Sequence, residues 1–417
     1  MKTFAVIGKN FGDEGKGLAC ALLAKKASNS LIIKHNGGGQ AGHTVEDESG
    51  ARFIHHQIGS GAEYGATTLL SSTFLVDLFQ LEKEVSEFKE MFGFAPPIFA
   101  EKDTKITVID DVLRNMLIES SRGSSRHGSC GMGINECVNR HENDLVITLE
   151  DVRYMSFDEL LGRLREFRSK YGQKNIENIK NEYDKNSRNA KNRFEADSDV
   201  NDSTVSYYEM LKDDDVLFGF ASCIKEAVNL VTLVDASKEW LSSYDQLIFE
   251  TGQGLLLDND YAPYAPFLTP SKTGLHNIAA FLDKRELELD EVIYVTRSYV
   301  TRHGNGPLPC EIDKRELPGV LDDLTNVKNE WQGNIRYAKH EDIDTFVKPI
   351  SDDIKSVAAL KSIRSTSKSL LITHLNETDG KVCFKDHDIP ALALSCDLQE
   401  SYGFSKVYTS SSPWFWT

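Results

Sequence analysis

Between Val6 and Gly17 the chain reads VIGKNFGDEGKG, with Gly8, Gly12, Gly15 and Gly17 spaced around Lys16. A lysine among glycines, placed between an apolar run and an apolar-striped segment, presents backbone N–H groups and a helix N-terminus to an anion. Phosphate is the expected guest. The spacing differs from the ordinary P-loop: six residues, not four, separate Gly8 from Gly15-Lys16, and Gly17 stands where a Ser or Thr would hold magnesium. The extra residues bring Asp13 and Glu14 into the loop. Carboxylates there repel phosphate unless something offsets them. A magnesium ion would account for one, and a proton to be taken from a substrate for the other. A plain glycine turn with helix-capping acids leaves the lysine unexplained.

The flanking segments supply the scaffold. Thr3–Gly8 reads as a short buried strand, Lys16–Ala27 as an apolar-striped helix and Leu31–Lys34 as a second strand, followed by a glycine cluster at Asn36–Gly42. Gln246–Glu250, Glu291–Thr296 and Ser369–Thr373 are further buried-strand candidates, each followed at once by polar or glycine-rich residues. The pattern predicts an α/β fold with a mostly parallel sheet flanked by helices, P-loop-like in its nucleotide binding, with ligands beyond the carboxyl ends of the strands. Residues 155–215 differ: Phe157–Lys170 reads as an amphipathic helix, and the following stretch is charged, Asn-rich and poor in aliphatics. This is a polar, helical insertion, or a mobile one, within a single elaborated domain spanning 1–417, and little chemistry is expected of it.

The bulk composition bounds the function. With 40% hydrophobic and 27% charged residues the chain can bury a large core. A formal charge of -17 argues against a nucleic-acid partner, since phosphate backbones are bound by surplus Lys and Arg. No run approaches the roughly 20 apolar residues of a membrane span. The start MKTFAVIGKN holds no apolar run of signal-peptide length. Seven scattered cysteines, none spaced as CxxC, suggest neither a disulfide framework nor a zinc site. A cytoplasmic enzyme is expected.

Beyond the phosphate loop, NGGGQAGHTV at 36–45, FETGQGLLLDND at 249–260 with Thr269 downstream, and YVTRHGNGPLPCEI at 299–312 follow in order, with HGSCGMGIN at 127–135 a looser match. Together with GDEGKG they resemble the adenylosuccinate synthetase family. The resemblance implies a C–N-forming ligase that joins L-aspartate to the 6-position of a purine nucleoside monophosphate, using a nucleoside triphosphate and Mg2+. It implies Asp13 as base and metal ligand, with the Gly42 carbonyl completing the metal site. Lys16, with Gly12, Glu14, Gly15 and Gly17, would hold phosphate, and His43 would act as general acid beside Thr44. Gln40, Gln253 and Thr269 would hold the substrate nucleotide, with Ser129 at its 5′-phosphate. Family members are homodimers in which an arginine enters the neighbouring site, and Arg140 is the nearest candidate. Thr301, His303, Asn334 and Arg336 fall where the amino-acid substrate is bound, Arg336 also bordering the nucleotide. His374 and Asn376 fall where the donor base is read.

Several positions depart from the family pattern. The arginine-rich loop is replaced by EWQGNIRYAKHED at 330–342, where Arg336 alone keeps an arginine and Asn334 occupies an expected charge. His303 stands in place of a small apolar residue. A Thr-Lys-x-Asp guanine reader is replaced by THLN, Thr373 to Asn376, whose asparagine no longer matches guanine's two-proton edge. ATP or dATP therefore stands beside GTP as donor. Met132 replaces an arginine and Gln40 an asparagine, changes shared with a viral branch that acts on dGMP, although that branch commonly lacks the aspartate retained here as Asp13. Three readings stay open: a ligase on an IMP-like nucleotide, a variant acting on dGMP or GMP, and a nucleotide-binding regulator without turnover.

Overall fold

The computed structural model describes residues 1–122, 131–191, 203–321 and 334–417. Its centre is a nine-stranded sheet. In chain order the strands are β1 (Lys2–Gly8), β2 (Ser30–Lys34), β3 (Thr67–Leu70), β4 (Ile98–Glu101), β5 (Thr232–Val234), β6 (Gln246–Gly254), β7 (Glu291–Arg297), β8 (Ser367–Thr373) and β9 (Lys406–Thr409). They lie side by side as β9-β8-β7-β1-β6-β2-β3-β4-β5, every neighbouring pair parallel. An all-parallel sheet must be covered on both faces, hence the near-continuous apolar runs in its central strands. Ala5, Ile7, Leu31, Ile33, Leu247 and Phe249 pack into one core, while Val6, Ile32 and Ile248 pack into another beneath the helix α1, Lys16–Lys25.

The chain leaves β1, builds the sheet outward through β2 to β5, returns to insert β6 beside β1, and then crosses to β7 on the other flank. The carboxyl ends of β1, β6 and β7 therefore converge where the winding reverses, the usual place for a ligand in an open α/β sheet. Each strand foreseen in the sequence is present, several extended by a residue or two. β6 continues four residues past Glu250 to Gly254, and the register with β1 breaks between Val6 and Gly8 as the phosphate loop begins.

Between β4 and β5 lies a long helical excursion. It begins with α2 (Ile109–Ser121) and α3 (Ile134–Glu142) and includes helices at Phe157–Phe167, Ile176–Lys191, Ser203–Met210 and Asp214–Ala227. The first of the four stops short of Lys170 because the chain widens into a π turn at Arg168–Gly172. There Arg168 turns inward to a buried ion pair with Asp110 on α2. Leu113 and Leu117 of α2 pack with Ile176, Tyr208 and Leu211.

Candidate active site

Gly8 ends β1, and the loop that follows is held from within. Glu14 Oε1 accepts the N–H groups of Asn10 and Gly12, both at 2.9 Å, and its Oε2 lies 3.2 Å from Lys16 Nζ. Lys16 Nζ also donates to the Gly12 carbonyl. Expected to bind nucleotide, Glu14 instead turns its side chain into the loop, where it fixes the turn and leaves Asp13 as the loop's outward carboxylate. Gly15, at φ 94°, caps α1 with no side-chain cap hydrogen bond, the kind of helix end that receives an anion, and Lys16 beside it is buried. Gly17 lies just inside α1. A Cβ there would sit 2.9 Å from His43 Cβ and 3.2 Å from Ser60 Oγ, so close packing of His43 on α1 is what demands glycine.

Beside this loop opens a cleft of about 600 Å3, a volume suited to a small-molecule ligand. Gly12, Asp13, Gln40, Gly42, His43, Thr44, Gln253, Thr269, Arg302 and His303 all border it, so the cleft gathers residues from sequence segments up to nearly 300 positions apart. Asp13 Oδ2 lies 3.2 Å from His303 Nε2, and the Asp13 carbonyl accepts from Arg297 Nε. His43 begins a two-stranded hairpin, His43–Glu46 with Arg52–His55. Its Nδ1 is hydrogen-bonded to the buried carboxylate of Glu250, and its Nε2 has no partner among the described residues. Burial outweighs the neighbouring carboxylate and pulls the imidazole down to about 4, so the resting ring is neutral at pH 7. Burial pushes Glu250 up, but Lys34 and His43 beside it prevail and hold it well below the usual carboxylate range.

Two amides that border the cleft hold polar atoms without partners among the described residues. Both polar atoms of Gln40 and Oε1 of Gln253 are buried and unpaired. Gln253 holds φ 56° in the left-handed region, and its Cα approaches Gly12 so closely that a Cβ on Gly12 would meet it at 3.2 Å. Unpaired buried amides cost stability unless a ligand's hydrogen-bonding edge completes them. For a divalent cation, the Asp13 carboxylate and the Gly42 carbonyl are hard oxygen donors on the same cleft, and Asp13 is not locked in a buried ion pair. This set fits magnesium completed by phosphate oxygens and water.

Other expected residues stand elsewhere. Arg140 is turned into the fold. It is 1% exposed, its Nε and Nη2 grip Asp111 at 2.9 Å each, and its remaining N–H groups meet the carbonyls of Ile106 and Leu145. Arg336 is engaged by both oxygens of Glu311 and by the Gly306 carbonyl at 2.8 Å, and does not border the cleft. Thr301 is buried in a short strand, Val300–Arg302, and Asn334 is exposed; neither borders the cleft. Ser129 lies outside the described residues. His374, at φ 60°, follows β8, and Asn376 is exposed in the turn Leu375–Glu377. Both lie outside the cleft, and Thr373 just before them touches the phosphate loop, its Oγ1 donating to the Glu14 carbonyl at 2.8 Å.

Two residues of the site were not foreseen. Arg302, 2% exposed, lies with its guanidinium 4.6 Å from the Phe11 ring centroid and donates to the carbonyls of Pro307 and Phe267, bracing two cleft loops. Glu250 is the other. Its signal was a charged residue closing the apolar run QLIFE, matched by Lys34 closing LIIK, and the two are register partners on β6 and β2.

Comparison with known proteins agrees with this geometry. The adenylosuccinate synthetase family model matches residues 5–334. Adenylosuccinate synthetases from Thermosipho africanus and Francisella tularensis are 28% and 27% identical over 315 and 320 residues. These matches span 75% of this chain and 67% and 66% of those proteins. Among solved structures, the fully ligated adenylosuccinate synthetase of Plasmodium falciparum superposes with TM-score 0.62 at 18% identity, covering 90% of this chain and 78% of that one. Cyanophage S-2L succinoaminodeoxyadenylate synthetase, bound to dGMP and dATP, gives TM-score 0.57 at 13% identity, covering 99% and 93%. With its family match extending from β1 through the phosphate loop and the cleft to residue 334, the chain belongs to the adenylosuccinate synthetase family, a family of C–N-forming ligases.

Proposed function

We propose that the protein condenses L-aspartate with a 6-oxopurine nucleoside monophosphate, driven by cleavage of a nucleoside triphosphate. The observation that carries this reading is one cleft holding an accessible carboxylate, a histidine with a free Nε2 and unpaired amides from two separate segments. Binding alone needs neither a base nor an acid. An amide-like C6 oxygen is a poor leaving group. Asp13 takes the N1 proton, the 6-oxygen becomes nucleophilic and bonds to the γ-phosphorus, and the bond to the β-phosphate oxygen breaks. The amine of aspartate then attacks C6, the C6–O bond breaks, and phosphate departs with the former purine oxygen. His43 Nε2 hydrogen-bonds the transferring phosphate, whose negative charge favours the protonated ring. Lys16 and the α1 amides hold donor phosphate, and Gln40 and Gln253 orient the base. Asp13 and Gly42 would hold Mg2+, which supplies neutralisation of phosphate charge when bound. The protein would act as a cytoplasmic homodimer, with a residue other than Arg140 crossing the interface.

A second reading keeps the chemistry and changes the purine. Gln40 holds an acceptor and a donor with no partners among the described residues, and the 2-amino group of a guanine-type base adds a donor beside the N1–H and 6-oxo groups that every 6-oxopurine presents. A 2-amino-6-oxopurine nucleotide such as dGMP or GMP, with ATP or dATP as donor, would use both. Phosphate release should be measured with IMP, GMP, dIMP and dGMP, each paired with GTP, ATP and dATP, with and without aspartate. Release that needs aspartate and one purine supports the ligase and names its substrate. A complete lack of release in every pairing removes this function in favour of nucleotide binding without turnover.

A further inference from the structure

We infer that Glu250 is the positioning residue of His43, fixing the imidazole so that Nε2 is presented to the transferring phosphate. The inference rests on the ligase reading for its consequence and on geometry for its content. A histidine on a hairpin has two ring nitrogens and two ring flips available, and only one arrangement leaves Nε2 facing the cleft as the free nitrogen. Glu250 selects it. Its Oε1 receives His43 Nδ1, so the neutral ring carries its proton on Nδ1.

The carboxylate is itself held on every side. Ser60 donates its backbone N–H to Oε2 at 3.0 Å and its hydroxyl to Oε1 at 2.6 Å. Lys34 Nζ stands 3.4 Å from Oε2 across the β2–β6 register, with both side chains buried. Lys34 Nζ has no hydrogen-bond partner among the described residues, so it acts as a counter-charge and not as a second anchor. The missing side chain of Gly17 completes the seat, because any Cβ there would displace His43 and Ser60 together. Glu250 therefore joins the phosphate-loop helix, the hairpin and the central sheet at one point, yet it does not border the cleft.

A buried carboxylate that merely neutralises Lys34 would look similar in one respect, and the tests separate the two roles. In ligand-free protein labelled with 15N-histidine, the His43 signal, identified by its loss in His43→Asn, should show the Nδ1–H tautomer with a far-downfield proton. Glu250→Gln should weaken that signature. An Nε2–H tautomer in the unaltered protein overturns the proposal, and this readout needs no turnover, so it stands apart from any failure of the ligase reading. In the ligase assay, Glu250→Gln should lower kcat about 10- to 100-fold with each KM within about threefold, and add almost nothing in a His43→Asn background. Glu250→Asp keeps the charge beside Lys34 but shortens the reach to His43. It should lose kcat as Gln does. Full kcat in Glu250→Asp would make charge balance the role of Glu250 and contradict its positioning of His43.

Discussion

Asp13 and Arg140 carry opposite lessons about charge at single positions. Asp13 is the phosphate loop's one carboxylate turned to the cleft, because Glu14 is drawn back to brace the turn. Asp13→Asn should therefore lower ligase turnover by about 100- to 10,000-fold, while nucleotide affinity by calorimetry changes by less than about tenfold. Arg140 is a structural cation. Arg140→Met leaves Asp111 buried and unpaired, and urea unfolding should show a loss of about 3–5 kcal/mol. Adding Asp111→Leu should restore only part of it, since it removes the unpaired charge but also the acceptor of the Val108 N–H. Sequence reasoning placed Asp13, His43, Gln40 and Gln253 because their motifs carry glycines that fix local geometry. It did not foresee that Arg140 is engaged within the fold, because an arginine's partner, here Asp111 on another helix, is invisible along the chain. The pairing of Arg336 was hidden for the same reason, its partner Glu311 lying on a neighbouring strand.

At the scale of elements, the strands were legible because both faces of a parallel sheet are buried, so LIIK and QLIFE had no polar alternation to obscure them. The π turn after Phe167 was not legible, because Arg168 faces inward to meet Asp110 and the Asp213 carbonyl across the excursion. The strongest element-level constraint is the contact of α1 with the His43 hairpin. Gly17→Ala would place a Cβ against His43 and Ser60, displacing the hairpin relative to the phosphate loop. Turnover should fall at least about tenfold and stability by about 1–3 kcal/mol, the range for overpacking a tight interior. A Gly17→Ala protein with unchanged kcat and unchanged urea midpoint would contradict the packing described.

For the whole molecule, the buried histidines link folding to acidity. His35, 1% exposed at the end of β2, is pulled down to about 3 by burial and by Lys34. Its folded value lies below the roughly 6.5 of an unfolded histidine, so its neutral form favours the fold. That contribution is complete above about pH 6.5 and is lost as the pH falls toward 3. Between pH 7.5 and 5 it amounts to about 2 kcal/mol. Asp353, pushed up to about 6 by burial, works in the opposite direction over part of this range. The difference between the protein and His35→Gln isolates the histidine: the variant's urea stability should fall by about 2 kcal/mol less over that interval. The proposed function turns on one event, transfer of a phosphate to the purine 6-oxygen and its departure with that oxygen. The most direct test labels the nucleotide with 18O at position 6 and follows the label during turnover with aspartate. The account predicts one 18O in each phosphate released. Unlabelled phosphate would mean that water, not the purine oxygen, takes the γ-phosphoryl group, and would contradict the mechanism.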